Sequence, residues 1–220
     1  PYTTLFRSDV FKLEGSAAIP FRMPDMPDFR TRDFVTMWGT IEDEPFFFLV
    51  SHWPSRLGGQ AASASKRMAA AEQVRAIVDS VQRADPATKV VVMGDLNDDA
   101  TDRSIVEGLR AKGRIGEVGP GDMFNPFIAL LKAGYGSLAY RDDWNLFDNI
   151  IVSDNLATGS TGELKIRPVG DTKFYGGIFR RPYMIQKEGQ YKGYPLRTFV
   201  GNNFQGGFSD HLPAYIYIAK

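Results

Sequence analysis

The sequence contains no cysteine, so disulfide bonds and thiolate metal sites are both excluded. Charge of one sign is not in excess either, since Lys plus Arg and Asp plus Glu both count 26. This balance weighs against a tight or processive DNA-binding protein, which normally presents a basic field. What remains is a chain of 220 residues, 43% hydrophobic and 13% aromatic, which is enough for one sizeable α/β domain.

Long apolar runs are also missing. No segment approaches the roughly 20 residues needed to cross a bilayer, so we expect no membrane span. No signal peptide is visible, and nothing in the sequence indicates an obligate protein partner. The composition leaves the cellular compartment open.

A carboxylate and a carboxamide follow an apolar segment at residues 90–93. Asp95 and Asn97 are two positions apart, so in a strand both side chains would project the same way from its carboxyl end. Open α/β sheets place their ligand sites at such strand ends. The alternative is a simple Asp/Asn turn that ends the strand.

Histidine is scarce, and both copies stand at the end of strand-like segments. His52 follows the aromatic residues 46–48, and His211 directly follows Asp210 and precedes an apolar terminal segment. Asp148 lies beside a fourth such segment at residues 149–152. One polar residue at a strand end is commonly a turn residue. Four such ends in one domain are difficult to attribute to turns alone.

The periodicity of apolar residues predicts alternating strands and helices. A hairpin is expected from residues 34–41 and 46–51, and a long helix at 62–83, capped by Ser63 or Ser65. The other predicted elements are strands at 89–93, 147–152 and 212–218, short helices at 101–109 and 126–133, and loops at 113–125 and 170–207. We expect the last loop to lie around the mouth of the site.

Four motifs occur together in a fixed order: SHWPS at 51–55, GDLN at 94–97, FDNIIVS at 147–153 and SDHLP at 209–213. Each is weak alone, but the ordered set resembles the DNase I-like endonuclease/exonuclease/phosphatase superfamily, and a bacterial subgroup of it over residues 6–218. This resemblance implies an α/β fold built as a two-sheet β-sandwich flanked by helices, in four layers. It also implies a single, partial domain of this superfamily over residues 1–220.

The resemblance assigns roles to individual residues. Asp95 would orient or deprotonate the attacking water, and Asn97 would donate a hydrogen bond to a phosphoryl oxygen. Asp148 would fix the tautomer of His211, which would stabilise the phosphorane or shuttle a proton. His52 would contact phosphate or assist the leaving group.

Metal and substrate contacts follow from the same resemblance. Asp210 and Asp95 would contact the metal, and oxygen ligands in a chain without cysteine favour Mg²⁺ or Mn²⁺ over structural Zn²⁺. Arg56 could bind a substrate phosphate as a bidentate fork, although a surface role is equally compatible with its position. Asp98, Asp99 and Asp102 are interpreted as a solvated turn and helix N-terminus rather than as ligands.

The functional prediction is a divalent-metal-dependent phosphoesterase. Its substrate would be a phosphate ester: nucleic acid, a phospholipid head group or a small phosphate ester. The alternative is a non-catalytic phosphate- or nucleic-acid-binding module on the same fold. The adjacent Arg180 and Arg181 are compatible with a local basic groove, although scattered surface charge is the preferred interpretation.

The beginning of the sequence suggests a truncated chain. The resemblance places an Asn and a metal-binding Glu upstream, and neither has a matching position here. Residues 1–8 can be translated from a sequencing-adapter oligonucleotide, so we expect them to be non-native; a proteolytic or engineered fragment is the alternative. We therefore expect the N-terminal strands to be missing and this fragment to be inactive.

Overall fold

Two β-sheets pack face to face, with a long helix on the outer side of the larger one. The computed structural model describes residues 10–220, so the expectation about residues 1–8 lies outside the described part. The strands are β1 Phe11–Ile19, β2 Phe34–Ile41, β3 Glu44–Val50, β4 Lys89–Asp95, β5 Ala111–Lys112, β6 Met123–Phe124, β7 Leu138–Tyr140, β8 Asp143–Asn145, β9 Asp148–Ser153, β10 Lys165–Arg167, β11 Gly176–Ile178, β12 Phe199–Val200, β13 Asn203–Phe204 and β14 Ala214–Ala219. The α-helices are α1 Gln60–Ala84, α2 Phe127–Lys132 and α3 Asp154–Thr158.

The larger sheet has the strand order β1-β2-β3-β4-β9-β6-β5, and the smaller sheet the order β10-β14-β11. β3 and β4 are parallel and are joined through α1, whereas β4 and β9 are antiparallel with Asp95 opposite Asp148. The hairpins β7–β8 and β12–β13 stand apart from both sheets. This topology brings the ends of β3 and β4 and the start of β9 to one edge of the larger sheet.

The apolar run in β4 exists because both faces of this strand are covered. Val90 and Val92 belong to the core beneath α1, together with Val74 and Val78 of that helix. Val91 belongs instead to the core between the two sheets, which also contains Ile166 of β10. A strand buried on both sides needs an apolar residue at every position rather than an alternating pattern.

Most predicted elements are confirmed, and the differences have local causes. The predicted hairpin of residues 34–41 and 46–51 is β2–β3, and the predicted helix at 62–83 is α1. Serine capping of α1 was a wrong prediction: Gly59 is the cap residue, and the Ser63 hydroxyl instead donates to the Gly59 carbonyl at 2.7 Å. This cap position has φ +106°, which glycine adopts without strain.

Three other predicted segments differ in detail. The predicted helix at 101–109 is a π-helical turn at Ser104–Gly108. The terminal strand begins at Ala214 rather than at residue 212, after Pro213, which has no N–H to donate. The predicted loops contain short strands, namely β6 in 113–125 and β11, β12 and β13 in 170–207.

The two-sheet α/β architecture with a flanking helix is confirmed. Helix α1 supplies the outer layer on the larger sheet. On β14 of the smaller sheet, Tyr215 and Tyr217 share a face and contact each other edge to face. None of the helices described within residues 10–220 is long and apolar enough to cross a membrane.

Candidate active site

Asp95 is the last residue of β4, and the turn after it holds its carboxylate in place. Asn97 adopts a left-handed conformation with φ +52°, and its backbone N–H donates to Asp95 Oδ1 at 2.9 Å. The Asn97 side-chain amide donates to the carbonyl oxygen of Trp53 at 3.0 Å. Asp95 and Asn97 therefore stay at the same sheet edge, although the turn changes the simple strand alternation that the sequence predicted.

A glycine allows the extension of β3 to lie directly against β4. Gly94 has φ +141°, and a Cβ at this position would lie 1.9 Å from the carbonyl oxygen of Ser51. The backbone N–H groups of Ser51 and Trp53 donate to the carbonyls of Met93 and Asp95, both at 3.0 Å. His52 lies between these two bonds, and its Nε2 is 3.4 Å from Asp95 Oδ2.

A second histidine–carboxylate pair forms beside the first. Asp148 begins β9 directly opposite Asp95, and its Oδ2 lies 2.7 Å from Nδ1 of His211. His211 reaches this position because it forms a bridge with Leu138 at the start of β7. Four strand ends that are distant in sequence thus bring two imidazoles and two carboxylates together.

Ser137 is a site residue that the sequence reasoning missed. Its hydroxyl donates to Asp148 Oδ2 at 2.5 Å, and its backbone carbonyl accepts from the N–H of Leu212 at 2.7 Å. It therefore orients Asp148 and fixes the chain next to His211. A single serine before a three-residue strand carries no distinctive pattern, so the sequence offered no signal for it.

The pKa values of the two central groups, Asp95 and His211, are both raised, for different reasons. Burial raises the pKa of Asp95 by disfavouring the carboxylate, and the nearby charge of Asp148 adds to this. The His211 imidazole, the Asn97 N–H and the His52 imidazole act in the opposite direction without cancelling the effect. Asp95 is therefore a stronger base than an exposed aspartate.

The pKa of His211 is also raised. Burial disfavours its charged form, but the hydrogen bond to Asp148 and the negative charges of Asp148, Asp95 and Asp210 outweigh that effect. The protonated imidazole is therefore retained at higher pH than in an exposed histidine. A cationic donor held in this way suits the stabilisation of an anion.

Arg56 does not stand free at the site. Its Nε donates to the Asn97 carbonyl at 2.9 Å, one Nη lies 2.8 Å from Asp102 Oδ2, and its guanidinium stacks on the Phe147 ring at 4.3 Å. The same Nη lies within 3.5 Å of both Asp98 and Asp99. These contacts hold the turn behind Asp95. Substrate binding by Arg56 stays a prediction that its present bonds do not favour.

The interpretation of the aspartates after Asn97 as a solvated turn is wrong for Asp98. This side chain is buried, lies 2.6 Å from Nε of the fully buried Arg67, and accepts from the Ser104 hydroxyl at 2.6 Å. Asp99 accepts from the backbone N–H of Leu146 at 2.7 Å. Both carboxylates therefore have structural partners within the turn.

The predicted metal contacts are only partly brought together. Asp95 lies at the centre of the site, whereas Asp210 is exposed beside His211. Within residues 10–220, no three His, Cys, Asp or Glu side chains form a cluster able to hold an ion. Mg²⁺ is commonly bound by one or two carboxylates, with waters and substrate phosphates completing the octahedron. The oxygen donors present fit such an open site but not a closed cage.

The comparison with protein-family models agrees with this geometry. A model of the endonuclease/exonuclease/phosphatase family matches residues 2–220. The chain belongs to this family. No curated protein matches it significantly.

Several solved structures share this fold at low sequence identity. A truncated TDP2 from Caenorhabditis elegans is 17% identical at a TM-score of 0.53, over 94% of this chain and 65% of that one. A humanised D. rerio TDP2 is 14% identical at a TM-score of 0.58, over 97% of this chain and 70% of that one.

A mannosyl-6-phosphatase from Bacteroides thetaiotaomicron is 15% identical at a TM-score of 0.56, over 98% of this chain and 69% of that one. The chain thus spans about two thirds of the length of these three structures. The likeness shows the DNase I-like fold.

Proposed function

We propose that this protein hydrolyses phosphate esters with an activated water and a divalent cation, Mg²⁺ or Mn²⁺. The observation that supports this most directly is the meeting of two His–Asp pairs, His52–Asp95 and His211–Asp148, at one sheet edge. Uncatalysed phosphodiester cleavage is slow, so such an enzyme lowers the barrier by roughly 20 kcal/mol. Positioned bases and preorganised donors are the means by which residues contribute to this.

Asp95 is the proposed group that orients and deprotonates the attacking water. The Asn97 N–H fixes the direction of Oδ1, and burial raises the pKa of Asp95 in the cation-free protein. His52, 3.4 Å away, is positioned to contact phosphate or the leaving group. Asn97 would also contact a phosphoryl oxygen, although its side-chain amide N–H₂ already donates to the Trp53 carbonyl.

His211 is the proposed donor to the developing negative charge. Asp148 holds its Nδ1, which leaves Nε2 as the nitrogen able to donate a proton or hydrogen bond to a phosphoryl oxygen. Asp95 and Asp210 are the proposed cation ligands. When bound, the cation would supply charge neutralisation at the phosphoryl oxygens.

The test measures hydrolysis of bis(p-nitrophenyl) phosphate and p-nitrophenyl phosphate with Mg²⁺, Mn²⁺ or chelator. The assay includes a second family member that carries the same four motifs together with the Asn and the metal-binding Glu that the resemblance implies. We expect cation-dependent activity from the family member and negligible turnover from this sequence, as predicted above. In the family member, the change equivalent to His211→Ala should lower kcat by about 10²–10⁴. Asp171→Asn, at an exposed carboxylate outside the site, is the matched control.

The binding-module alternative makes a different prediction in the same assay. It requires that both proteins bind inorganic phosphate or a phosphate ester and that neither hydrolyses it with any cation. Cation-dependent turnover that survives His211→Ala would contradict the proposed roles even if the reaction itself were found.

A further inference from the structure

A groove lined by positive charge lies next to the short 3₁₀ turn Pro182–Met184. Its cavity volume is about 470 Å³. Four of its lining residues, Arg180, Arg181, Lys187 and Lys192, are cationic, and no carboxylate is among the described residues that line it. We call these four residues the cationic groove.

The groove concentrates positive charge in a chain whose formal net charge is zero. Residues 179–208 contain five basic residues and one acidic residue, whereas the whole sequence is balanced at 26 each. The sequence favoured scattered surface charge for Arg180 and Arg181, but the fold gathers them with two lysines. Like charges held together repel one another, and a polyanion relieves that repulsion. The groove is therefore suited to a ligand with several phosphates.

The cationic groove shares Arg180 with a cavity next to the candidate active site. Arg180 also lines a second cavity of about 260 Å³, together with Tyr135, Trp144 and Leu212. Leu212 directly follows His211 in the chain, and the Arg180 guanidinium lies 5.2 Å from the centre of the Trp144 ring. Tyr135 is 51% exposed, so part of its ring is available to a ligand. The two cavities therefore share Arg180, and Leu212, the neighbour of His211, lines the second one.

We propose that the cationic groove binds the phosphates of a single-stranded nucleic acid, and that a base of the strand packs against Tyr135 in the second cavity. Basic residues that follow the backbone beside aromatic rings that stack with bases are the general means of binding single strands. The cations line a recess, which suits a narrow strand better than a flat lipid surface. Binding of the strand is independent of the proposed function; only its role as a substrate rests on that function.

The experiment measures fluorescence anisotropy of a labelled single-stranded DNA of about a dozen nucleotides, in chelator so that no hydrolysis occurs. We expect Arg181→Glu combined with Lys187→Glu to weaken binding by about tenfold or more. The slope of log affinity against log salt should fall by about 1.4, since each single-strand phosphate contact contributes about 0.7. Tyr135→Ala should weaken binding by about tenfold without changing that slope.

The matched control reverses two exposed basic residues outside the groove, Arg32→Glu with Arg83→Glu, and should bind within about twofold of the wild type. Equal losses in both double variants would overturn the proposal, because they would reflect net charge alone. Binding to anionic vesicles without binding to DNA would overturn it in favour of a membrane surface. Intact ester hydrolysis without DNA binding would refute this inference alone, whereas DNA binding without hydrolysis would refute the proposed function alone.

Discussion

The two histidine–carboxylate pairs differ in whether their surroundings favour or disfavour the charged form of the central side chain. In the pair of Asp148 and His211, a short contact favours the charged imidazole over the opposing effect of burial. At Asp95, burial is the largest effect, and it disfavours the charge that the proposed chemistry needs. The two pairs therefore predict opposite consequences when a carboxylate is replaced by its amide.

Asp148→Asn should lower the pKa of His211, because the main groups that raise it are the hydrogen bond and charge of Asp148. A histidine whose pKa is raised by folding contributes its full stabilisation at pH values below its ordinary pKa of about 6.5. This contribution is lost as the pH rises through the pKa of the folded state. The stability lost in the variant should therefore be largest at acidic pH and shrink as the pH rises. NMR titration of His211 and urea unfolding at several pH values measure both effects, with Asp171→Asn as the unaffected control.

Asp95→Asn should stabilise the fold while removing the proposed base. The raised pKa means that the unfolded chain accommodates the ionised carboxylate better than the folded protein does at neutral pH. The amide oxygen still accepts from the Asn97 N–H, so the turn is kept. In chelator, where no cation binds the carboxylate, we expect thermal unfolding to show a rise in Tm of about 2–4 °C, the size that about 1 kcal/mol produces in a domain of this length. A lower Tm would contradict this account of Asp95.

Among the elements, the contact between the β3 extension and β4 decides whether His52 and Asp95 can meet. Gly94→Ala would place a methyl group on the Ser51 carbonyl, at a φ that also strains alanine. We expect a loss of roughly 3 kcal/mol or more in the free energy of unfolding, measured in urea. Gly58→Ala is the matched control: its φ of +84° is also unfavourable, but nothing lies within 4 Å, so about 1 kcal/mol is expected.

The sequence was informative for elements whose burial is uniform. The four apolar residues before Gly94 predicted β4, since a strand covered by α1 and by the second sheet has no polar face. The start of α1 could not be predicted, because Gly59 replaces the side-chain cap that the rule requires. Ser137 and the buried partner of Asp98 depend on contacts between distant segments, and local patterns do not encode these.

At the scale of the whole molecule, the smaller sheet connects the core to the candidate site. Its central strand β14 begins three residues after His211, and the adjacent β10 anchors it through Ile166, which is 2% exposed between the sheets. The position of His211 therefore depends on how firmly the two sheets pack together. Sequence motifs predicted this two-sheet arrangement only through the family resemblance.

Ile166→Ala should cost about 2–5 kcal/mol in the free energy of unfolding, because it leaves a cavity between the sheets. We also expect faster hydrogen exchange at the Leu212 amide, whose bond to the Ser137 carbonyl holds the chain beside His211. Leu57→Ala, at a side chain 88% exposed, should stay within about 0.5 kcal/mol of the wild type. Unchanged exchange at Leu212 would show that the sheet does not control this segment.

Trp53 can serve as an intrinsic fluorescence probe of the candidate site. Its indole is fully buried and its ring nitrogen has no hydrogen-bond partner among the described residues, whereas Trp38 is 39% exposed. Its backbone is bonded to both Asp95 and Asn97, so the chromophore is part of the same turn as the proposed base. With Trp38 and Trp144 replaced by phenylalanine, the wavelength of the remaining emission would report a rearrangement of that turn without any attached dye.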